Sequence, residues 1–351
     1  MRTKGNFRAR LTTVVATLSA ASLALVSCAE TVPLAADPFS DSIEHATGSA
    51  PLPPGAYYTS AGGREPRPRE TATAYETLAP DDQLPKERIP EIYKRGRIIV
   101  GVDQALNLLG FRNASTGELS GFEVALAQEL ARDIFGDPNA VEFRYVRATE
   151  RVSMLRSGQV DVVLRTMTVT ESRLEAVNFS APYLTARAGI LVGPNSRIES
   201  EADLNGAKVC VAADSTPEEI VRYTAPDATL LLVGNWSDCL VALQQSQADV
   251  IVADDTILAG INEQDPTTAI VRRGLSVEQY AAGIAKDNDG LVRQVNETME
   301  RIRSDGTWQE LYDVWFGPFL PQGAQPQPTY APVPVDEDDP TIDTDSAEGG
   351  E

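Results

Sequence analysis

Residues 86–320 are predicted to form an α/β fold of two parallel-sheet lobes. Three observations carry that prediction. The order β-α-β-α-β reads twice along this segment, the pattern of two separate sheets each covered by helices. The chain has 351 residues, room for two ordinary domains with tails. Its composition, 42% hydrophobic and 23% charged, is that of a globular protein.

The elements follow in order. Arg97-Ile98-Ile99-Val100-Gly101-Val102 is a β run. Over 122–135, Phe122, Leu126, Leu130 and Ile134 recur at helical spacing and predict an amphipathic helix. Residues 141–145 alternate as a strand, 150–157 read as helix, and Val160-Asp161-Val162-Val163-Leu164 is the next strand. The second set comprises a strand at 208–212, a helix from Pro217 with Thr216 as its cap, a helix over 238–245 and a strand at 249–253. A long helix over 290–305 closes the core.

The flanks differ in character. Arg2, Lys4, Arg8 and Arg10 precede an apolar stretch from Leu11 to Val26, the layout of a signal peptide over 1–27. That stretch, interrupted by Thr and Ser, is too short and polar for a membrane span, and no other stretch nears the roughly 18 apolar residues a span needs. It ends in Leu25-Val26-Ser27-Cys28, which looks like a bacterial lipobox, with Cys28 as the lipid-bearing residue; an ordinary signal peptide with an incidental cysteine is the plainer alternative. Residues 28–85 are rich in Pro, Ala, Gly, Ser and Thr and are expected to be a lipid-anchored flexible stalk. Residues 321–351 are Pro-rich, then acidic, and are expected to be a disordered tail.

Charge and cysteine content exclude several functions. The net charge is −21, and removal of residues 1–27, with four cations and no anions, makes it −25. Such a charge repels polyanions, so no nucleic-acid partner is expected. The single histidine, His45, lies in the stalk, which leaves the core without Ser-His-Asp or Cys-His chemistry. No metal-ligand cluster is visible and no cofactor is expected. Asp103 and Glu123 are the candidates for an acid/base pair, but Glu123 stands at a helix start, where a carboxylate commonly interacts with free N–H groups. In an oxidising compartment Cys210 and Cys239 are read as a disulfide, with two buried free thiols as the alternative.

Over about residues 92–318 the chain resembles the bacterial extracellular solute-binding proteins of polar amino-acid ABC importers. The motifs are Ile99-Val100-Gly101-Val102-Asp103, Gly121-Phe122-Glu123-Val124-Ala125-Leu126-Ala127, Gln159-Val160-Asp161-Val162-Val163, Thr168-Val169-Thr170-Glu171-Ser172-Arg173, Val177-Asn178-Phe179-Ser180-Ala181-Pro182-Tyr183, Ala202-Asp203-Leu204-Asn205-Gly206, Ala248-Asp249-Val250-Ile251-Val252-Ala253-Asp254-Asp255, Gly306-Thr307-Trp308 and Trp315-Phe316-Gly317. Together they are specific; any one alone is weak.

The resemblance implies a type II periplasmic-binding-protein fold with a hinge and a central cleft. Lobe 1 is expected over 86–186 plus 281–320, lobe 2 over 187–280, and the hinge near Ala186-Arg187-Ala188 and Gln279-Tyr280-Ala281. It implies extracytoplasmic capture, without catalysis, of glutamate or aspartate for an ABC permease, with the membrane reached through the lipid on Cys28. A glutamine- or asparagine-binding protein, or a sensor that reports bound amino acid to a signalling membrane protein, is the alternative.

It also implies a site. Arg173 stands where the family clamps the ligand α-carboxylate, for which a planar bidentate donor is suited. Thr166 and Thr168 match residues that bond the ligand's backbone-like groups, though threonines also suit a strand end. Asp254 matches the acid that meets the α-ammonium. Arg151 stands where glutamate/aspartate-binding members carry an arginine for the distal carboxylate; a solvated helix start is the plain reading. Arg165 either adds positive potential or forms a structural ion pair. Asp103 matches a site position and either touches the ammonium or fixes the cleft floor, while Leu106 departs from the aromatic many members carry nearby. Ser215 and Thr216 match a carboxylate-binding loop at a helix N-terminus, although Asp214 would set a negative charge beside it.

Overall fold

Side chains decide the two sheets. The computed structural model describes residues 50–63 and 75–332; the expected signal peptide, Cys28 and the acidic run at 336–339 lie outside them. The first sheet has five strands, in the order Val141–Tyr145, Ile98–Val102, Val162–Val163, Glu278–Ile284, Asn178–Ala186. All five residues of Ile98–Val102 are buried, as expected of a parallel strand covered on both faces. The second sheet has six strands, in the order Tyr57–Ser60, Thr229–Val233, Lys208–Ala212, Val250–Asp254, Ala188–Val192, Ala269–Arg273.

Both sheets are mixed rather than purely parallel. In the first, three strands are parallel, while Glu278–Ile284 pairs antiparallel with Val162–Val163 and Asn178–Ala186. In the second, Lys208–Ala212 is parallel to both neighbours and the remaining strands join antiparallel. The antiparallel members are largely those next to the crossings. The chain leaves the first sheet after Ala186, enters the second at Ala188, and returns between Arg273 and Glu278. These two lobes with paired crossings make a type II periplasmic-binding-protein fold.

Helix Phe122–Phe135 buries Phe122, Leu126, Leu130 and Ile134, the stripe the spacing predicts. It ends at Gly136, whose φ of 74° suits a glycine C-cap. Trp308 and Phe316 pack on Phe122, with ring centroids 6.2 and 5.1 Å away. Helix Trp236–Gln244 starts before the predicted Asp238 because Asn235 holds the N-cap position. Helix Thr216–Thr224 is capped by Ser215, not Thr216: Ser215 Oγ accepts from the Glu218 N–H at 3.3 Å. Of the two readings open for the cysteines, the structure has the Cys210–Cys239 disulfide.

The flanks depart from an unbroken stalk and tail. Tyr57–Ser60 pairs antiparallel with Thr229–Val233, at the edge of the second sheet. Arg222 fastens this segment by donating from Nη1 to the carbonyls of Ser60 and Ala61, both at 3.0 Å. Thr329–Tyr330 pairs with Glu76–Thr77, and Thr77 Oγ1 donates to the Phe179 carbonyl at 2.7 Å. Composition alone hides such strands, because each is held by a distant partner rather than by local preference.

Candidate functional site

The first wall of the site comes from the segment after Val162–Val163. Thr166 has φ 42°, a left-handed conformation that costs a non-glycine residue about 1–3 kcal/mol. A buried carboxylate holds it there: Glu123 Oε1 accepts from the Thr166 N–H and from the Tyr183 hydroxyl, each at 2.6 Å. Trp308 Nε1 in turn donates to the Tyr183 carbonyl at 2.7 Å. Glu123 is therefore a positioning group, fully buried, and burial pushes its carboxyl upward against the pull of these hydrogen bonds.

Arg151 opens helix Arg151–Arg156 and is buried, not on a solvated face. Its Nε donates to the Ala148 carbonyl at 2.7 Å, and Nη1 to the carbonyls of Thr166 at 2.9 Å and Arg165 at 3.3 Å. Nη2 has no hydrogen-bond partner among the described residues. Burial, and then the like charges of Arg173 and Arg165, push its pKa well down, although a guanidinium keeps its proton near neutral pH. Arg173 donates from Nη1 to the Thr168 carbonyl at 2.8 Å and from Nη2 across the cleft to the Asp214 carbonyl at 2.9 Å.

The second wall belongs to the other lobe. Asp254 ends the strand Val250–Asp254 and precedes helix Asp255–Gln264. Its Oδ2 accepts from the Tyr280 hydroxyl, while Oδ1 is buried with no partner among the described residues. Burial, and then the Glu278 carboxylate, raise the Asp254 pKa well above the usual range. Glu278 is itself pushed up by burial, against the hydroxyls of Ser276, Thr216 and Thr168 and the charge of Arg173. A cation entering here would relieve both acids.

Between the walls lies a cavity of about 230 Å³, lined by Arg151, Thr166, Thr168 and Arg173 from the first lobe. Ser215, Thr216, Pro217, Trp236, Asp254 and Ile257 line it from the second. Two of its buried oxygens, Thr166 Oγ1 and Asp254 Oδ1, lack partners among the described residues, a costly state unless a guest satisfies them. The lobes also touch through Tyr145 Oη, which donates to Asn235 Oδ1 at 2.7 Å, through Asn107 with Glu263, and through Gln264 Nε2 with Asn107 Oδ1 at 3.1 Å.

Seven sequence-predicted residues thus meet around one cavity: Arg151, Thr166, Thr168, Arg173, Ser215, Thr216 and Asp254. Asp103 and Arg165 do not line it. They form a buried ion pair at 2.7 Å, with Asp103 Oδ1 also accepting from the N–H groups of Gln104 and Ala105. Of the two roles open to Arg165, the ion pair is the one present. Asp214 is exposed and offers its carbonyl, rather than its carboxylate, to Arg173. Sequence reasoning missed Trp236, Pro217 and Ile257 in the lining, and Glu278 beside Asp254. A readable signal existed for Trp236 alone, a bulky residue directly after Gly234-Asn235, the kind of pair that precedes a helix.

Two α/β lobes closing on a small polar cavity define a solute-binding protein. The chain belongs to the bacterial extracellular solute-binding proteins, family 3, which it matches over residues 98–318. It is 36% identical over 228 residues to the glutamine-binding protein of Geobacillus stearothermophilus, covering 65% of this chain and 85% of that protein. It is 30% identical over 230 residues to the glutamate-binding protein GluB of Corynebacterium glutamicum, covering 62% and 78%. Among solved structures, a solute receptor for L-cysteine from Neisseria gonorrhoeae superposes with a TM-score of 0.64 at 27% identity, covering 68% of this chain and 99% of the receptor. The family and these relatives are all named for binding a solute. Among the described residues no helix is long and apolar enough to cross a membrane.

Proposed function

We propose that this chain captures an acidic amino acid, glutamate or aspartate, outside the cytoplasm and delivers it to an ABC permease without chemistry on the ligand. The observation that carries the reading is the pairing, in one small cavity, of two guanidinium groups with an aspartate whose Oδ1 is unengaged. Arg173 and the helix start at Ser215 and Thr216 take the α-carboxylate, and Asp254 with Thr166 and Thr168 takes the α-ammonium. That leaves Arg151, with Nη2 unbonded among the described residues, for a second carboxylate. A protein of net charge −21 repels anions at long range, so local cations must supply the attraction. Each charge-assisted bond contributes about 1.5–3 kcal/mol, and a few reach the roughly 8 kcal/mol of micromolar binding. Lobe boundaries near 186–188 and 279–281, and a lipid anchor on Cys28, complete the reading.

The glutamine-binding relative favours a second reading, in which the side-chain subsite takes an amide. Calorimetry with wild type, Arg173→Ala and Arg151→Ala separates the two. Arg173→Ala is expected to abolish binding of every amino acid. Arg151→Ala is expected to weaken glutamate at least about tenfold more than glutamine. An unchanged ratio, or a wild type that holds glutamine more tightly, would retire the acidic assignment.

A further inference from the structure

Trp236 lines the cavity from the first turn of helix Trp236–Gln244 and is only 3% exposed. Its indole N–H has no acceptor among the described residues. Trp308, by contrast, uses its indole N–H, donating to the Tyr183 carbonyl at 2.7 Å, whereas the donor of the nearly buried Trp236 is left open for a partner. Pro217 and Ile257, also in the lining, offer no side-chain acceptor. Asp254 Oδ1 lines the same cavity and is unpaired too, so the two groups do not satisfy one another.

The first turn carrying Trp236 is fixed on both sides. Asn235, one residue before, accepts from the Tyr145 hydroxyl across the cleft at 2.7 Å. Cys239, three residues after, is tied to Cys210 on the neighbouring strand Lys208–Ala212. The turn that carries the indole is therefore held through its neighbours on either side when the cleft is shut.

We infer that Trp236 is a specificity-determining residue whose indole N–H donates a hydrogen bond to an oxygen of the ligand's side chain. The inference rests on the proposed function: Arg173 and the Ser215–Thr216 helix start hold the α-carboxylate, so the donors left for the side chain are Arg151 Nη2 and Trp236 Nε1. The two divide the selection. Arg151 favours charge. Trp236 is neutral, donates to a carboxylate or an amide oxygen alike, and selects against side chains that carry no acceptor, since those leave its N–H unmatched in the closed cleft.

The test compares wild type with Trp236→Phe, which keeps an aromatic wall and removes the donor, against L-glutamate, L-glutamine and L-norvaline, an aliphatic side chain of similar length. Calorimetry is expected to give a loss of about tenfold or more for glutamate and for glutamine, and no loss for norvaline. In parallel, the chain's three tryptophans give three indole N–H signals in the ¹⁵N-labelled wild-type protein, assigned through the backbone. The Trp236 signal is expected to shift with glutamate and glutamine and to stay near its free position with saturating norvaline. This second readout holds even if Trp236→Phe fails to fold. Glutamate affinity unchanged in a folded Trp236→Phe, or an unmoved Trp236 signal under saturating glutamate, overturns the assignment. A wild type that prefers glutamine, with the Trp236 signal still moving, overturns the acidic ligand and keeps Trp236.

Discussion

At the scale of single residues, the site is a set of groups prepared for a partner. Asp254 is the clearest case. Its carboxyl is held up by burial and by Glu278, so wherever the free site is protonated a ligand ammonium displaces that proton on pairing. Binding is therefore expected to release protons and to weaken as the pH falls toward the raised titration of this acid, by up to about tenfold per pH unit. Calorimetry in buffers of differing ionisation enthalpy checks this, and Asp254→Asn should bind weakly with a flat pH profile. A wild-type affinity independent of pH between 5 and 8 would remove Asp254 from the ammonium role. Most of this constellation was legible because Arg173, Thr168 and Asp254 lie in recognisable motifs. The Asp103–Arg165 pair was not, since its members stand 62 residues apart and only the folded sheet makes them neighbours. Trp236 escaped for a local reason: the helix was placed from Asp238, so the tryptophan fell in an unassigned loop.

At the scale of elements, the cleft closes by backbone fitting against backbone. Helix Asp255–Gln264 passes so near the loop at Asn107 that a Cβ on Gly260 would stand 2.3 Å from the Asn107 carbonyl oxygen. That clash exists only when the lobes meet. Gly260→Ala is thus expected to cost about 1–3 kcal/mol in the closed form alone, weakening ligand binding by roughly tenfold while leaving the melting temperature of the free protein little changed. Calorimetry with X-ray scattering of the free and ligand-saturated protein measures both; full compaction with unaltered affinity would mean that the helix yields. Regular elements were the legible part of the fold. Phe122–Phe135 and Lys208–Ala212 coincide with their sequence periods because each buries a continuous apolar stripe or run. Tyr57–Ser60 and Thr329–Tyr330 were not legible, because Pro- and Gly-rich surroundings mask strands that exist only through pairing at long range.

For the whole molecule, the site's unmet electrostatics tax the free state. Asp254 and Glu278 hold protons more tightly folded than unfolded. Between the ordinary carboxylate pKa and their raised values the native state binds more protons, so stability falls as pH rises. The net charge of −21 acts in the same sense. The ligand-free protein is expected to melt higher at pH 5.5 than at pH 7.5 by scanning calorimetry. An Asp254→Asn/Glu278→Gln double variant should flatten that slope, and a slope equal to wild type would show the cost lies elsewhere.

The segment Tyr57–Ser60 has a consequence beyond the cleft. It occupies the outer rim of the second sheet, ahead of the stretch matching the family at 98–318. A fragment trimmed to that match would bare the N–H and C=O groups of Thr229–Val233, and an uncovered rim of this kind recruits strands from other copies. The opposite rim carries its own safeguard in the exposed side chains of Arg272 and Arg273. Residues with no part in lining the cavity thus act as an insulator for the sheet's edge.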